Sequence, residues 1–294
     1  MFKKMYGVVP PMITPFDEEG KVDYHALSEL VGFLSRETDG LFVTGSYGSG
    51  PLMTVQERAE VTRRSVIEAQ GRIPVIAMVG TTSTRDSVEL ARRAFSDGAT
   101  AVAAVGPYYF AHDSERLKGF YGALIDAVDI PVYLYNNPKF QGYPITLETI
   151  AALKRLGLSG VKDATFDMLI HASYQRRLAD ENFDVALGTE ALWLPARSLG
   201  CESFIPGLGN AFPELCRAAH RQGMAGEWQA CRESQFLINE LREVMYLARS
   251  TQLAVYAMLE IRGIVSAYPR LPFLPATAAE KKSIAEALRR LELV

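Results

Sequence analysis

Short apolar segments alternate along this chain with longer amphipathic ones. The apolar segments cover residues 6–13, 40–45, 74–80, 99–107, 131–136, 158–163, 183–188 and 202–209; they are rich in Val, Ile and Ala, and most end at Gly or Pro. Unbroken apolar runs of this length, each followed by a helix pattern, predict strands buried on both faces of a parallel sheet. The intervening stretches carry helix signals. Asp23 is placed to cap a helix with Leu27, Leu30, Val31 and Leu34 on one face, and Thr54 followed by Glu57 makes a capping-box pattern before Val61, Val66 and Ile67. Asp86 is expected to begin a third helix, which Gly98 closes. The gap between the seventh and eighth segments is short, so the helix near 191–199 must be brief. From Pro213 onward the pattern reads as helical throughout, with Trp228, Phe236, Leu237, Leu241, Val244, Met245 and Leu247 at helical spacing, as core or subunit contact.

Eight such units predict an α/β chain folded as a (β/α)₈ TIM barrel with a C-terminal helical extension. The expected division is a barrel over residues 1–225 and a helical domain over 226–294. An open doubly wound sheet would instead favour a glycine-rich dinucleotide fingerprint after the first strand, where this chain has Thr14-Pro15-Phe16-Asp17. The length of 294 residues suits one barrel, which typically takes about 250.

Composition narrows the function. A net charge of −3, from 31 basic and 34 acidic residues, lacks the basic excess of a nucleic-acid-binding protein. Cys201, Cys216 and Cys231 form no C-x-x-C pair, so neither a disulfide framework nor a zinc cage is expected. The opening stretch, residues 1–6, has no apolar targeting core, and no apolar run approaches the ~18 residues of a membrane span. The expectation is a soluble, cytoplasmic protein without membrane contact.

In a barrel the active site lies at the C-terminal ends of the strands. The polar residues there include Thr14, Ser46, Tyr47, Tyr109, Tyr135, Lys162, Asp163, Glu190 and Asn210. Lys162, alone among nine lysines, sits inside an apolar strand. It is either paired with Asp163 or a reactive amine, although adjacent residues on a strand point to opposite faces. A reactive amine needs its pKa brought from about 10.4 toward 7–8, which burial achieves at roughly 4 kcal/mol for three units; such a lysine forms Schiff bases with carbonyl compounds. The loop Gly45-Ser46-Tyr47-Gly48-Ser49-Gly50-Pro51 is no P-loop, because Pro51 stands where the lysine belongs. It is a flexible turn or, through freed backbone N–H groups and two hydroxyls, a seat for a carboxylate. Tyr133 and Tyr135 share one strand face, as packing or as a proton carrier. His25, His112, His171 and His220 are scattered without ligand spacing, so no metal is expected.

Several motifs together resemble one family. Val9-Pro10-Pro11-Met12-Ile13-Thr14-Pro15-Phe16, the 45–48 loop, Gly106-Pro107-Tyr108-Tyr109, Leu134-Tyr135-Asn136-Asn137-Pro138, Gly160-Val161-Lys162-Asp163-Ala164 and Gly209-Asn210-Ala211-Phe212-Pro213 stand in its order and spacing. The chain resembles the dihydrodipicolinate synthase/N-acetylneuraminate lyase family of class I pyruvate-dependent aldolases, nearly end to end. The resemblance implies Lys162 as the Schiff-base lysine, Tyr135 as proton shuttle, and Tyr109 as a tyrosine lent to a neighbouring subunit. It also implies Ser46 and Tyr47 as holders of the pyruvate carboxylate, and Ile205 as pocket lining. It implies no metal, no dissociable cofactor, and a homotetramer built as a dimer of dimers.

The departures bear on the second substrate. Tyr47 replaces the threonine usual in the synthases, where it could extend the relay, reshape the pocket or block it. Ser49-Gly50-Pro51 replaces a glutamate-containing loop and is more like that of 2-keto-3-deoxygluconate aldolases. Phe140 stands where the synthases carry an arginine for the aldehyde's carboxylate, and Lys139 is out of register for that role. The preferred expectation is cleavage or formation of a 2-keto-3-deoxy sugar acid or related 4-hydroxy-2-oxo acid, with pyruvate as one half and Glu190 receiving hydroxyls. The alternatives are 4-hydroxy-tetrahydrodipicolinate synthase, a hydratase-aldolase with an aromatic acceptor, and a catalytically silent oxo-acid-binding barrel.

Overall fold

The computed structural model describes residues 4–294; the first three residues of the opening stretch lie outside it. Each apolar segment holds a strand: β1 Gly7–Val8, β2 Leu41–Val43, β3 Val75–Met78, β4 Ala101–Val105, β5 Val132–Asn136, β6 Gly160–Asp163, β7 Asp184–Leu187 and β8 Ser203–Phe204. The strands pair in parallel in the order β1-β8-β7-β6-β5-β4-β3-β2. The two ends of that order meet, because Phe42 N–H donates to the Pro10 carbonyl and Met12 N–H donates to the Phe42 carbonyl, both at 3.0 Å. No edge is left open, and the sheet is a barrel.

Strand alternation then decides what fills it. Tyr133 and Tyr135 point inward with Phe42, Ile76, Ala101, Ala103 and Ala186, while Val132, Leu134, Val102 and Ala104 face the outer helices. Large and small residues are matched. A Cβ on Gly160 would lie 2.6 Å from the Tyr133 ring, so only glycine fits there. β5 and β6 pair with Tyr135 beside Lys162, which puts the lysine on the inner face.

Helices α1 Tyr24–Glu37, α2 Val55–Ala69, α3 Thr84–Ser96, α4 Ser114–Ile125, α5 Pro138–Gln141, α6 Leu147–Arg155, α7 Met168–Arg177, α8 Trp193–Ser198 and α9 Pro213–Ala225 follow the strands. Asp23 caps α1 through the His25 and Ala26 N–H groups, and Thr54 and Glu57 complete both halves of the capping box on α2. The third helix begins earlier than expected. Ser83 is its cap, accepting from Asp86 N–H, and Asp86 lies in the first turn, where a carboxylate suits the positive end of the helix dipole. α8 is six residues long, as the short gap required.

Beyond the barrel come α10 Trp228–Met245, α11 Thr251–Ile261 and α12 Ala278–Arg290. The expectation of unbroken helix from Pro213 fails over 262–277, where Pro269, Pro272 and Pro275 remove backbone donors and disfavour helical φ/ψ in the residue before each. This stretch instead bonds back across the barrel, with Phe16 N–H to the Tyr268 carbonyl at 3.1 Å and Tyr268 N–H to the Phe16 carbonyl at 2.9 Å. The α10 stripe also divides: Leu241, Val244 and Met245 are buried, whereas Trp228 and Phe236 are exposed. No helix among the described residues is long and apolar enough to cross a membrane.

One side chain fastens this stretch. Arg270 donates to the Gly20 carbonyl (2.7 Å), the Leu52 carbonyl (3.1 Å) and both Glu57 oxygens (2.9 and 2.6 Å), with its guanidinium 4.5 Å above the Phe16 ring. Those bonds hold the Glu57 carboxyl down at about 2. Arg270→Ala should therefore destabilise the protein by about 2 kcal/mol, since it unpairs a half-buried carboxylate and two carbonyls. A urea titration would show this as a lower midpoint at unchanged m-value, and an unchanged midpoint would mean the fastening is idle.

Candidate active site

The C-terminal strand ends surround a cavity of about 370 Å³, within the usual range for small-molecule sites. Lys162 reaches it from the end of β6 with 3% of its surface exposed. Its Nζ stands 4.0 Å above the Phe42 ring and 4.1 Å above the Tyr135 ring. It has no hydrogen bond or ion pair among the described residues. Burial alone draws its pKa down from 10.5 to about 7, because a low-dielectric surrounding disfavours the ammonium.

The ion-pair reading of Lys162 with Asp163 is thereby corrected. Asp163 faces outward, where its carboxylate sits 3.0 Å from His171 Nδ1 and accepts from the Thr165 N–H and hydroxyl. Burial lowers the His171 pKa, but the bonds to Asp163 and Cys201 outweigh it and raise the imidazole to about 9. Alternation along the strand keeps this charge pair on one face and the amine on the other.

Tyr135 lies beside Lys162, buried, and its hydroxyl accepts from Asn137 Nδ2 at 3.0 Å. Burial raises its pKa, with the Ser46 hydroxyl and Asn137 opposing. The phenol therefore holds its proton at neutral pH and can lend it. In the loop after β2, Ser49 N–H returns to the Ser46 carbonyl and Gly50 N–H to the Gly45 carbonyl. The N–H groups of Ser46, Tyr47 and Gly48 have no partner among the described residues. Three free donors on one turn are a backbone arrangement suited to an anion.

Tyr47 reshapes the wall. Its ring packs so close to Gly207 that a Cβ there would meet the hydroxyl at 2.6 Å, and the hydroxyl donates to Thr251 Oγ1 at 3.0 Å. Burial and the nearby Glu190 push its pKa up. Ile205 lies beneath, fully buried. Phe140, on α5, stands at the rim, shared with a second hollow of about 300 Å³ that Ser46 also lines.

Glu190 follows β7 and is buried. One oxygen accepts from Gly207 N–H at 2.8 Å and the other is ion-paired with Arg242. Arg242, Tyr246 and Thr251 come from α10 and α11 and line the same cavity, as does Phe166 after β6. None of these four was legible as a site residue. The only trace of two of them was the i,i+4 spacing of Arg242 and Tyr246, which nothing in the sequence placed over the barrel. Tyr109 is apart. It is 87% exposed with φ +80°, its ring edge-on to Phe110 at 4.9 Å, and it does not line its own chain's cavity. Among the described residues no group of three or more His, Cys, Asp or Glu converges as metal ligands would.

A closed parallel barrel with an uncompensated amine at a strand end has the parts of a Schiff-base lyase. The model of the dihydrodipicolinate synthetase family matches residues 4–291, and the chain belongs to that family, within the pyruvate-dependent class I aldolases. A 4-hydroxy-tetrahydrodipicolinate synthase of Phenylobacterium zucineum is 31% identical over 290 residues, covering 98% of each chain. Among solved structures, the sialic acid aldolase of Ruminococcus gnavus, as a catalytic lysine mutant, aligns at a TM-score of 0.94 with 25% identity, over 99% of this chain and 97% of that one. KD(P)GA from T. tenax aligns at 0.88 with 29% identity, over 98% and 99%.

The depressed Lys162 pKa has two measurable consequences. The free-amine fraction should rise about tenfold between pH 6 and 8, so the rate of borohydride-trapped pyruvate imine should climb likewise and then flatten. A pH-independent rate would mean the amine is not the titrating group. The folded-state value also lies below the unfolded one, so folding must bury the ammonium at acid pH or strip its proton above pH 7. That penalty is largest below about pH 7 and fades as pH rises toward 10.5. Lys162→Met should therefore stabilise the protein by roughly 4 kcal/mol at pH 6 and much less at pH 10, read by denaturant titration.

Proposed function

We propose that this chain cleaves or forms a 2-keto-3-deoxy sugar acid or related 4-hydroxy-2-oxo acid, with pyruvate as the constant half. The observation that carries the chemistry is the unpaired Lys162 amine, held near neutrality inside the cavity. The amine adds to the keto carbon of the oxo acid and water leaves, giving a protonated imine. Tyr135 lends its proton to the hydroxyl that leaves as water and, as the phenolate, then takes the proton of the C4 hydroxyl; the C3–C4 bond breaks toward the imine, and the aldehyde departs. The resulting enamine is protonated at C3 and hydrolysed to release pyruvate and the free lysine. The free N–H groups of Ser46, Tyr47 and Gly48 receive the pyruvyl carboxylate, and Ile205 floors the pocket. Tyr109 serves a neighbouring subunit in a dimer of dimers, which fits its exposure, and the barrel and helical domains divide near Gly226.

Phe140 supports the sugar-acid reading. A second carboxylate entering beside a phenyl ring finds no donor, whereas a neutral tail tolerates it. The synthase reading is favoured by the Phenylobacterium relative, and by Lys139 and Arg242 on the cavity wall. Arg242 already neutralises Glu190, so the sugar acid stays ahead.

Pyruvate with borohydride should label Lys162 alone, and Lys162→Arg should abolish labelling and turnover. Label at another lysine ends this assignment. Tyr135→Phe should lower kcat by roughly 10²–10⁴ with the fold intact. Aspartate semialdehyde should trail glyceraldehyde-type acceptors by about 10²–10³ in kcat/KM. If it proves the best acceptor by tenfold, the synthase reading replaces this one.

A further inference from the structure

Helix α10 carries two polar side chains on the face it turns to the barrel. Gln235 is buried; its Nε2 donates to the Glu190 carbonyl at 2.9 Å and its Oε1 accepts from Leu194 N–H at 2.9 Å. Seven residues on, two helical turns along the same face, Arg242 pairs with the Glu190 carboxylate. One helix thus holds both the backbone and the side chain of Glu190.

Arg242 is held in turn. Its Nη2 donates to the Tyr246 hydroxyl at 3.1 Å, and its guanidinium carbon lies 5.6 Å from the Phe166 ring centre and 5.8 Å from that of Tyr246. Phe166 is in the left-handed region at φ +60°, a conformation that side chains seldom adopt, and it carries the ring to the cavity mouth. The Arg242 side chain keeps 18% of its surface exposed, its Nε–H has no partner among the described residues, and it lines the cavity.

We propose that Arg242 is a specificity-determining residue, which with Glu190 forms a neutral donor–acceptor pair that reads adjacent hydroxyls on the departing aldehyde. One hydroxyl donates to the Glu190 carboxylate, and its neighbour accepts from a free Arg242 N–H. The pair has no net charge, so it offers a second carboxylate far less attraction than a free guanidinium would. An apolar tail leaves the remaining Glu190 lone pairs and the free Arg242 N–H without a partner. The C-terminal extension, by this inference, chooses the tail while the barrel performs the bond chemistry. The inference rests on the pyruvate-lyase reading for the other half of the substrate.

The test pairs variants with substrates. Three 4-hydroxy-2-oxo acids of equal length are compared: one with hydroxyls beyond C4, one without them, and one ending in a carboxylate. Arg242→Met should raise KM for the hydroxylated acid by roughly ten- to hundredfold, with kcat changed less than threefold. KM for the deoxy acid should move far less, and the loss should fall on the tail rather than on imine trapping with pyruvate alone. Because Arg242→Met also unpairs a buried carboxylate, Arg242→Lys is run beside it and should recover part of the loss. An equal loss on hydroxylated and deoxy acids, or a wild-type preference for the carboxylate-ended acid, overturns the proposal. If the wild type cleaves none of the three, the lyase reading fails by itself, and the tail is read by calorimetry on Lys162→Met. That protein should bind the hydroxylated acid at least tenfold more tightly than the deoxy acid, and adding Arg242→Met should erase the difference. Equal binding of the two acids refutes the inference.

Discussion

A lysine amine enclosed in a barrel without a counter-charge is the constraint on which the rest of the site depends. Ammonium in such a place is disfavoured by several kcal/mol unless a carboxylate approaches. A carboxylate would relieve the penalty and, by the same stroke, keep the amine protonated and inert. The fold holds every nearby buried carboxylate elsewhere. Asp163 is turned outward to His171, Glu190 is occupied by Arg242 and Gly207, and Asp184 on the neighbouring β7 is bonded to the Tyr133 hydroxyl and to Met5 N–H. Burial raises the Asp184 carboxyl to about 6. Rings, not charges, face the amine.

That allocation is made by two simple devices. Alternation along β6 separates Lys162 from Asp163 although they are neighbours in sequence. Size matching inside the barrel then leaves room: Gly160 admits the Tyr133 ring, and alanines at 101, 103 and 186 allow Phe42 and Tyr135 to flank the amine. The stability given up at Lys162 is recovered by the closed sheet and by the many buried apolar side chains outside it.

The helical extension does more than cover the barrel. Gln235 and Arg242 fasten α10 to the residue after β7, and Arg270 fastens the proline-rich stretch to α2 and to the turn after β1. The likeness to a synthase, to a sialic acid aldolase and to KD(P)GA shows that one scaffold carries several named proteins. In this chain Tyr47, Phe140, Phe166 and Arg242 stand on the cavity wall, where a second substrate would meet them.

The sequence alone determined the eight strands, the helix caps Asp23 and Thr54 and the position of Lys162, because these follow from local signals: apolar runs, capping residues and a charge where none belongs. It also singled out Tyr135, Tyr47 and Glu190, since each lies within a few residues of a strand end, and Phe140 through the family resemblance alone. It left Lys162 divided between an ion pair with Asp163 and a reactive amine, and it missed Ser83 as a cap and the break after Ile261. It could not show Arg242, Tyr246, Thr251 or Phe166 in the cavity. Arg242 lies 52 residues from the Glu190 it pairs with, and a charged residue on a helix has the same local signature whether it faces water or a site. Only the packing of α10 against the end of β7 decided that, because contacts between distant segments depend on how whole elements pack and not on the residues beside them in the chain.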